Sequence, residues 1–196
     1  SPPLPMSLPP AAPTRQLKHR RQIDVQVFAR DDGLWEVDAT LADTKTRVTQ
    51  MADGPRPPGA PIHDMLLRLV VTPGLDIVEA GSDTRAMPYP GVCSEHGGAY
   101  GQLVGLNLLN NFHREVRARL GGVKACTHLT ELAQVLPTAV VQGLAGEVID
   151  TRGSGEGASQ PFQLDRCHAL RTDGPAVREF YPRWYRPAAA AAATDS

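Results

Sequence analysis

The chain has 196 residues, 41% of them apolar, and a formal net charge of −1. That size and composition suit a soluble folded body with its own core, and the near-zero charge argues against nucleic acid as a partner, because phosphate binding needs clustered Lys and Arg. No apolar run reaches the roughly 18–20 residues of a membrane span, and no charged-then-apolar leader opens the sequence, so neither a membrane nor a signal segment is expected.

Residues 1–14 are rich in proline and nearly free of charge, which predicts an extended, mobile tail. The body over 15–186 reads as a single α+β domain. Lys18-His19-Arg20-Arg21 is a short basic cluster that reads as a solvated edge. Ile23, Val25 and Val27 then alternate with Asp24 and Gln26, the period of a half-buried strand. Asp31-Asp32-Gly33 is a turn signal. Beyond it Trp35, Val37, Ala39 and Leu41 share one face, with Trp35 expected in the core, and Asp43 and Lys45 fall at the far end. Residues 52–61 are dense in Pro and Gly and read as a loop. A second hairpin follows, with Met65, Leu67, Leu69 and Val71 on one face, a turn at Thr72-Pro73-Gly74, and a return over 76–80.

The period then changes. Leu106, Leu109, Phe112, Val116 and Leu120 are spaced as one helical stripe, and Gly121-Gly122 ends it. Leu129, Leu132, Leu136 and Val140 form a second stripe, with Thr127 as the expected N-cap and Glu131 in the first turn. Pro137 should kink this helix or start a new segment. Residues 151–159 read as a flexible loop, Phe180, Tyr181, Trp184 and Tyr185 as an aromatic cluster packed on the body, and 187–196 as an alanine-rich mobile tail. Strands first and helices later predict an α+β fold: an antiparallel sheet of about four strands with C-terminal helices packed on it.

The candidate chemistry lies at junctions. Cys93, Cys126 and Cys167 all sit in polar, turn-like stretches. Three cysteines are an odd, sparse set, unlike a secreted disulfide framework, which predicts a reducing cytoplasm. Cys126-Thr127-His128 places a thiol and an imidazole two residues apart at a helix start, where the amides favour thiolate over thiol. Thiolate and imidazole suit zinc or iron, so Cys93, Cys126, His128 and Cys167 are candidate ligands. A long helix would separate Cys93 from Cys126 by about 30 Å, so that set needs a break near Gly97-Gly98 or Gly101. A metal-free reactive thiol and inert core cysteines are the other readings. His63 and Asp64 are candidate acid–base groups, although in a strand they point to opposite faces. The charges around Asp31-Asp32 read as a turn with local ion pairs or as an acidic pair. Gly97-Gly98-x-x-Gly101 lacks the dinucleotide and phosphate-loop patterns, so no nucleotide cofactor is expected.

The combination Arg30-Asp31-Asp32-Gly33-Leu34-Trp35, Asp43-Thr44-Lys45, Ile62-His63-Asp64-Met65, Cys93 and Cys126-Thr127-His128-Leu129, over residues 15–185, resembles a bacterial family catalogued as domain of unknown function 2889. That family carries no established activity, but its members are often encoded near genes for aromatic or acyl-CoA catabolism, so the resemblance implies a catabolic role. The order of elements is also similar to iron–sulfur scaffold proteins of the NifU and IscU kind, with Cys93 and Cys126/His128 at two of their ligand positions. The early Pro-x-Cys-Gly-Asp loop of those scaffolds is absent, and their late pair is His-Cys in direct sequence. The expectation is a small cytoplasmic catabolic enzyme of lyase or hydrolase type, acting on a small aromatic or acyl substrate. His63, Asp64, Cys126 and His128 would be its catalytic groups, and zinc or iron its possible metal. A non-enzymatic metal or iron–sulfur binding protein is the alternative, and an interaction module with inert cysteines a third.

Overall fold

The structure, a computed structural model, describes residues 8–153 and 157–187. The tails expected at 1–14 and 187–196 and the loop expected at 151–159 fall partly outside these residues; of them, residues 8–14 are exposed. The chain divides into two compact units, one up to Val140 and one from Val141.

The first unit is built on an antiparallel sheet. β1 (His19–Ala29), β2 (Trp35–Lys45), β5 (Pro61–Val71) and β6 (Ile77–Ala86) lie in that order, each paired with its neighbour. The alternating residues fold as expected because one face of each hairpin is apolar and must be covered. The turn at Asp31-Asp32-Gly33 closes β1 on β2, with Gly33 at a φ of 80° that a side chain disfavours. The Pro- and Gly-rich stretch is not all loop: β3 (Thr49–Met51) and β4 (Gly54–Arg56) make a short separate hairpin.

Register turns the alternation into rows across the sheet. Val27, Val37 and Leu69 lie side by side, then Val25, Ala39 and Leu67, then Ile23, Leu41 and Met65. In β2 and β5 these side chains are buried, Val37, Ala39, Leu41, Leu67 and Leu69 completely. Trp35, at the end of β2, is only half-buried, because its row is the outermost one and flanks the turn. The next row in the other direction is Arg21, Asp43 and His63.

The long first helix is corrected. The α-helix is confined to α1 (Phe112–Leu120), and Gly97–Leu103 forms a 3₁₀ helix instead. Gly105 takes a φ of 84°, and Asn107 bridges to Asp76 through its backbone and side chain. Leu106 therefore belongs to a turn, although its spacing fits the stripe. Gly97, Gly98 and Gly101 lie inside that 3₁₀ helix, and the helical run is broken after them, over residues 104–111. α2 (Thr127–Leu144) runs through Pro137 as one helix, so no new segment starts there. Its residues Leu129, Leu132, Leu136 and Val140 are buried as the stripe requires.

The second unit contains a 3₁₀ turn at His168–Leu170, α3 (Pro175–Phe180) and a 3₁₀ turn at Pro182–Trp184. The Asp165 carboxylate accepts hydrogen bonds from the Thr172 amide and hydroxyl. Of the aromatic cluster, Phe180 is exposed and Tyr181, Trp184 and Tyr185 are half-buried; the Arg183 guanidinium lies over the Trp184 ring. No helix among the described residues is long and apolar enough to cross a membrane.

Candidate active site

Asp43 is the buried acidic residue of the sheet, 1% exposed. It occupies an inward position because it continues the phase of Val37, Ala39 and Leu41, and a carboxylate there must be paired. Both neighbours in its row supply partners. Arg21 from β1 donates from Nε to Oδ1 and from Nη2 to Oδ2, both at 2.8 Å. His63 from β5 donates from Nδ1 to Oδ2 at 2.9 Å. His19, one alternation beyond Arg21, donates from Nε2 to Oδ1 at 3.1 Å. Arg21, His63 and His19 together give the two carboxylate oxygens four hydrogen bonds. Burial pushes its pKa up, but the hydrogen bonds and charge of Arg21 and His63 outweigh this and hold it at about 2.

The start of α2 completes the cluster. The Thr130 amide donates to the Cys126 carbonyl at 2.9 Å, which makes Cys126 the N-cap in place of Thr127. At that position the His128 and Leu129 amides favour a thiolate on Cys126. Tyr100 fixes this turn from the 3₁₀ segment. Fully buried, it donates to the Cys126 carbonyl at 2.9 Å and lies 3.2 Å from the Thr130 hydroxyl. Burial pushes its phenol up to about 12, so it stays a donor. Glu131, one turn into α2, accepts from Arg21 Nη1 at 2.8 Å, tying helix to sheet.

His128 stands between the two halves. Its Nε2 is 4.0 Å from Asp43 Oδ2, and its Nδ1 is 4.0 Å from Cys126 Sγ. Its ring stacks on His63 with centroids 3.9 Å apart. Cys126 Sγ also lies 3.8 Å from Met65 Sδ. Burial pushes the Cys126 thiol up, but the His128 imidazole and the Leu129 and His128 amides pull it further the other way, so its pKa lies below the ordinary thiol value. The side chains of His63 and His128 remain 14% and 27% exposed, so solvent reaches the group.

Of the residues expected from the sequence, His63, Cys126 and His128 come together. Asp64 points to the opposite face of β5, where Arg85 donates to it at 2.7 Å. Cys93 is half-buried in the turns after β6, and its amide donates to the Tyr89 carbonyl. Cys167 is exposed in the second unit. Of the four expected metal ligands, only His128 belongs to the grouped metal-ligating atoms among the described residues, which are those of Asp43, His63 and His128, all within 4.8 Å of one another. The acidic pair at the first turn is a local structure: Asp32 accepts from Arg30, and its Oδ1 also caps the Leu34 amide.

No sequence motif marks Asp43, Arg21, His19 or Tyr100 as a site residue. For the first two a signal exists. Asp43 and Arg21 each carry a charge in phase with the apolar face of their strand. Tyr100 and His19 give no such signal.

Compared with known proteins, residues 19–142 match the model of a family described as a protein of unknown function (DUF2889). The match begins with β1, ends within α2, and holds Asp43, His63, Cys93, Cys126 and His128 but not Cys167. No curated protein and no solved structure matches the chain, so the likeness to iron–sulfur scaffolds finds no support.

Proposed function

We propose, for a chain that belongs to the DUF2889 family of proteins of unknown function, a thiol-dependent hydrolase that cleaves small acyl esters or thioesters, aromatic acyl groups included. The observation that carries this reading is the order Cys126 Sγ, His128 Nδ1, His128 Nε2, Asp43 Oδ2, with one imidazole between a thiol and a buried carboxylate. That is the order of a nucleophile, a base and its orienting acid, and the separations are of the loose kind found in unliganded sites.

The chain's own residues divide the work. His128 takes the thiol proton at Nδ1, and Asp43 stabilises the resulting imidazolium. The Cys126 thiolate attacks the acyl carbon, and the leaving thiol or alcohol departs with the proton from His128. Water, deprotonated by His128, then attacks the acyl carbon of the Cys126 thioester; the carbon–sulfur bond breaks, the sulfur takes the proton back from His128, and a carboxylic acid and free Cys126 are released. Arg21 and His19 act as positioning residues, because they touch Asp43 rather than the reacting atoms. A nucleophilic Cys126 must stay reduced; the three cysteines are free, which suits a reducing compartment such as the cytoplasm and a catabolic role there.

The test uses the full chain with aryl esters and aryl thioesters of aromatic acids. The expected result is a burst of leaving group, with an acyl group found on Cys126 by mass spectrometry. Cys126→Ala should lose the burst, and His128→Gln should slow it by about 10²–10⁴-fold. Equal rates for wild type and Cys126→Ala, with Cys126 unmodified, would overturn the proposal.

A further inference from the structure

We infer that Asp43, His63 and His128 also form a binding site for one divalent transition ion of the zinc class, through one Asp43 oxygen and one ring nitrogen of each histidine. We further infer that its occupancy switches off the thiol chemistry proposed above. The first statement stands by itself; the second rests on that reading.

The donor set is the first argument. One carboxylate and two imidazoles are hard-to-borderline ligands that suit zinc and its first-row neighbours, and three protein ligands leave a position open for water. The partial exposure of His63 and His128 gives that position access to solvent. Geometry is the second. The three ligand atoms already lie within 4.8 Å of one another. Tetrahedral bonds of about 2.0–2.2 Å place neighbouring ligand atoms about 3.3–3.5 Å apart. Asp43 Oδ2 and His63 Nδ1, at 2.9 Å, need to open slightly, and His128 Nε2, at 4.0 Å from Oδ2, needs to close by about half an ångström. The ion takes the place of the proton now shared by Asp43 and His63, and neutral His63 carries its proton on the outer nitrogen instead.

Charge and support are the third. Arg21 would repel a dication by itself. It is bound by two carboxylates, Asp43 and Glu131, so the three charges sum to −1. Arg21, bonded to both oxygens of Asp43, and His19, bonded to Oδ1, come from β1, across β2 from His63, and such outer partners orient a metal-binding carboxylate. Asp43 and His63 are directly paired on adjacent strands, so their separation is fixed by the ladder.

The switch follows from the two nitrogens of His128. Ligated through Nε2, a neutral imidazole carries its proton on Nδ1, the atom that faces Cys126 Sγ. It then has no lone pair to receive the thiol proton. Cys126 is not a ligand in this arrangement, and the loaded protein cannot use His128 as a base.

The full chain, stripped with a chelator, is titrated with cobalt(II) and then zinc(II), and bound metal is counted by elemental analysis after desalting. Wild type and Cys126→Ala should each bind one ion, with visible cobalt bands but no thiolate-to-cobalt charge-transfer band. His63→Ala and His128→Gln, shown folded by circular dichroism and thermal melting, should each bind at least about 10–100-fold more weakly. Binding lost in Cys126→Ala, binding retained in folded His63→Ala, or no stoichiometric binding by wild type would each overturn the site. One equivalent of zinc should slow acylation of wild-type Cys126 at least about tenfold. Metal bound with acylation unslowed would overturn the switch. Metal bound by a wild type that is never acylated, with or without zinc, would leave the site standing, remove the switch and sink the hydrolase reading.

Discussion

Two rows on one face of the sheet have opposite chemistry. Val25, Ala39 and Leu67 form an apolar row whose members in β2 and β5 are fully buried; two rows along, Arg21, Asp43 and His63 form a polar one whose central member is buried nearly as deeply. The backbone pairing is the same in both. What differs is the supply of partners. The apolar row needs only contact, which any close-packed layer gives. The polar row is sustained by groups converging from both sides in the sheet, and by the N-terminal turn of α2, where His128 and Glu131 meet it. A buried carboxylate is thus sited where a helix begins and polar side chains are at hand.

The largest expected effect tests that dependence. Asp43→Ala removes one partner of a buried pair and leaves Arg21, His19 and His63 without their shared acceptor, so it should destabilise by about 3–5 kcal/mol in urea unfolding. It should also slow alkylation of Cys126, because His128 loses its orienting acid. Leu67→Ala, in the apolar row, should destabilise by about 2–5 kcal/mol through its cavity and leave the alkylation rate of Cys126 unchanged. Equal effects of the two variants on the thiol would show that the polar row acts only through stability.

Much of this contrast was legible in the sequence, and part was not. The four main strands follow from alternation because residues two apart must share a face, whatever the partner strand. The helix stripe from Leu106 misled because three- and four-residue spacing is also produced by a tight turn, and the bridge from Asn107 to Asp76 is a long-range contact that local spacing cannot encode. Cys126 and His128 were readable together since both lie in one turn of chain. Asp43 and His63 were not, because their contact depends on the register of β2 against β5 and on the extra residue of β5 opposite the Asp43–Thr44 step.

Acid titration gives a smaller effect. Asp43 is held at about 2, below the usual carboxylate range near 3.9. A depressed pKa contributes stability that is complete above the unfolded value and is lost as pH falls through the folded one. Stability should therefore decline between about pH 4 and pH 2, and Asp43→Asn should flatten that part of the profile. An unchanged acid limb in Asp43→Asn would mean that other carboxylates set it.

The smallest effect belongs to Asp64, which follows His63 in the chain and yet belongs to the other face. Alternation carries its side chain away from Asp43, and its partner is Arg85 of β6, with both side chains open to solvent, 28% and 49% exposed. An ion pair of that kind contributes about 0–1 kcal/mol, because water screens the charges and two side chains lose freedom to meet. Asp64→Ala should therefore shift the urea midpoint little and leave Cys126 alkylation at the wild-type rate, while its neighbour His63, changed in the same way, loses a hydrogen bond to a buried carboxylate and a ring stacked on His128. The adjacent pair compares the two faces of β5 at one level of the strand, His63 on the face of Asp43 and Asp64 on the face of Arg85. A large loss of thiol reactivity in Asp64→Ala would mean that both faces of β5 feed the site, and that the polar row is not its boundary.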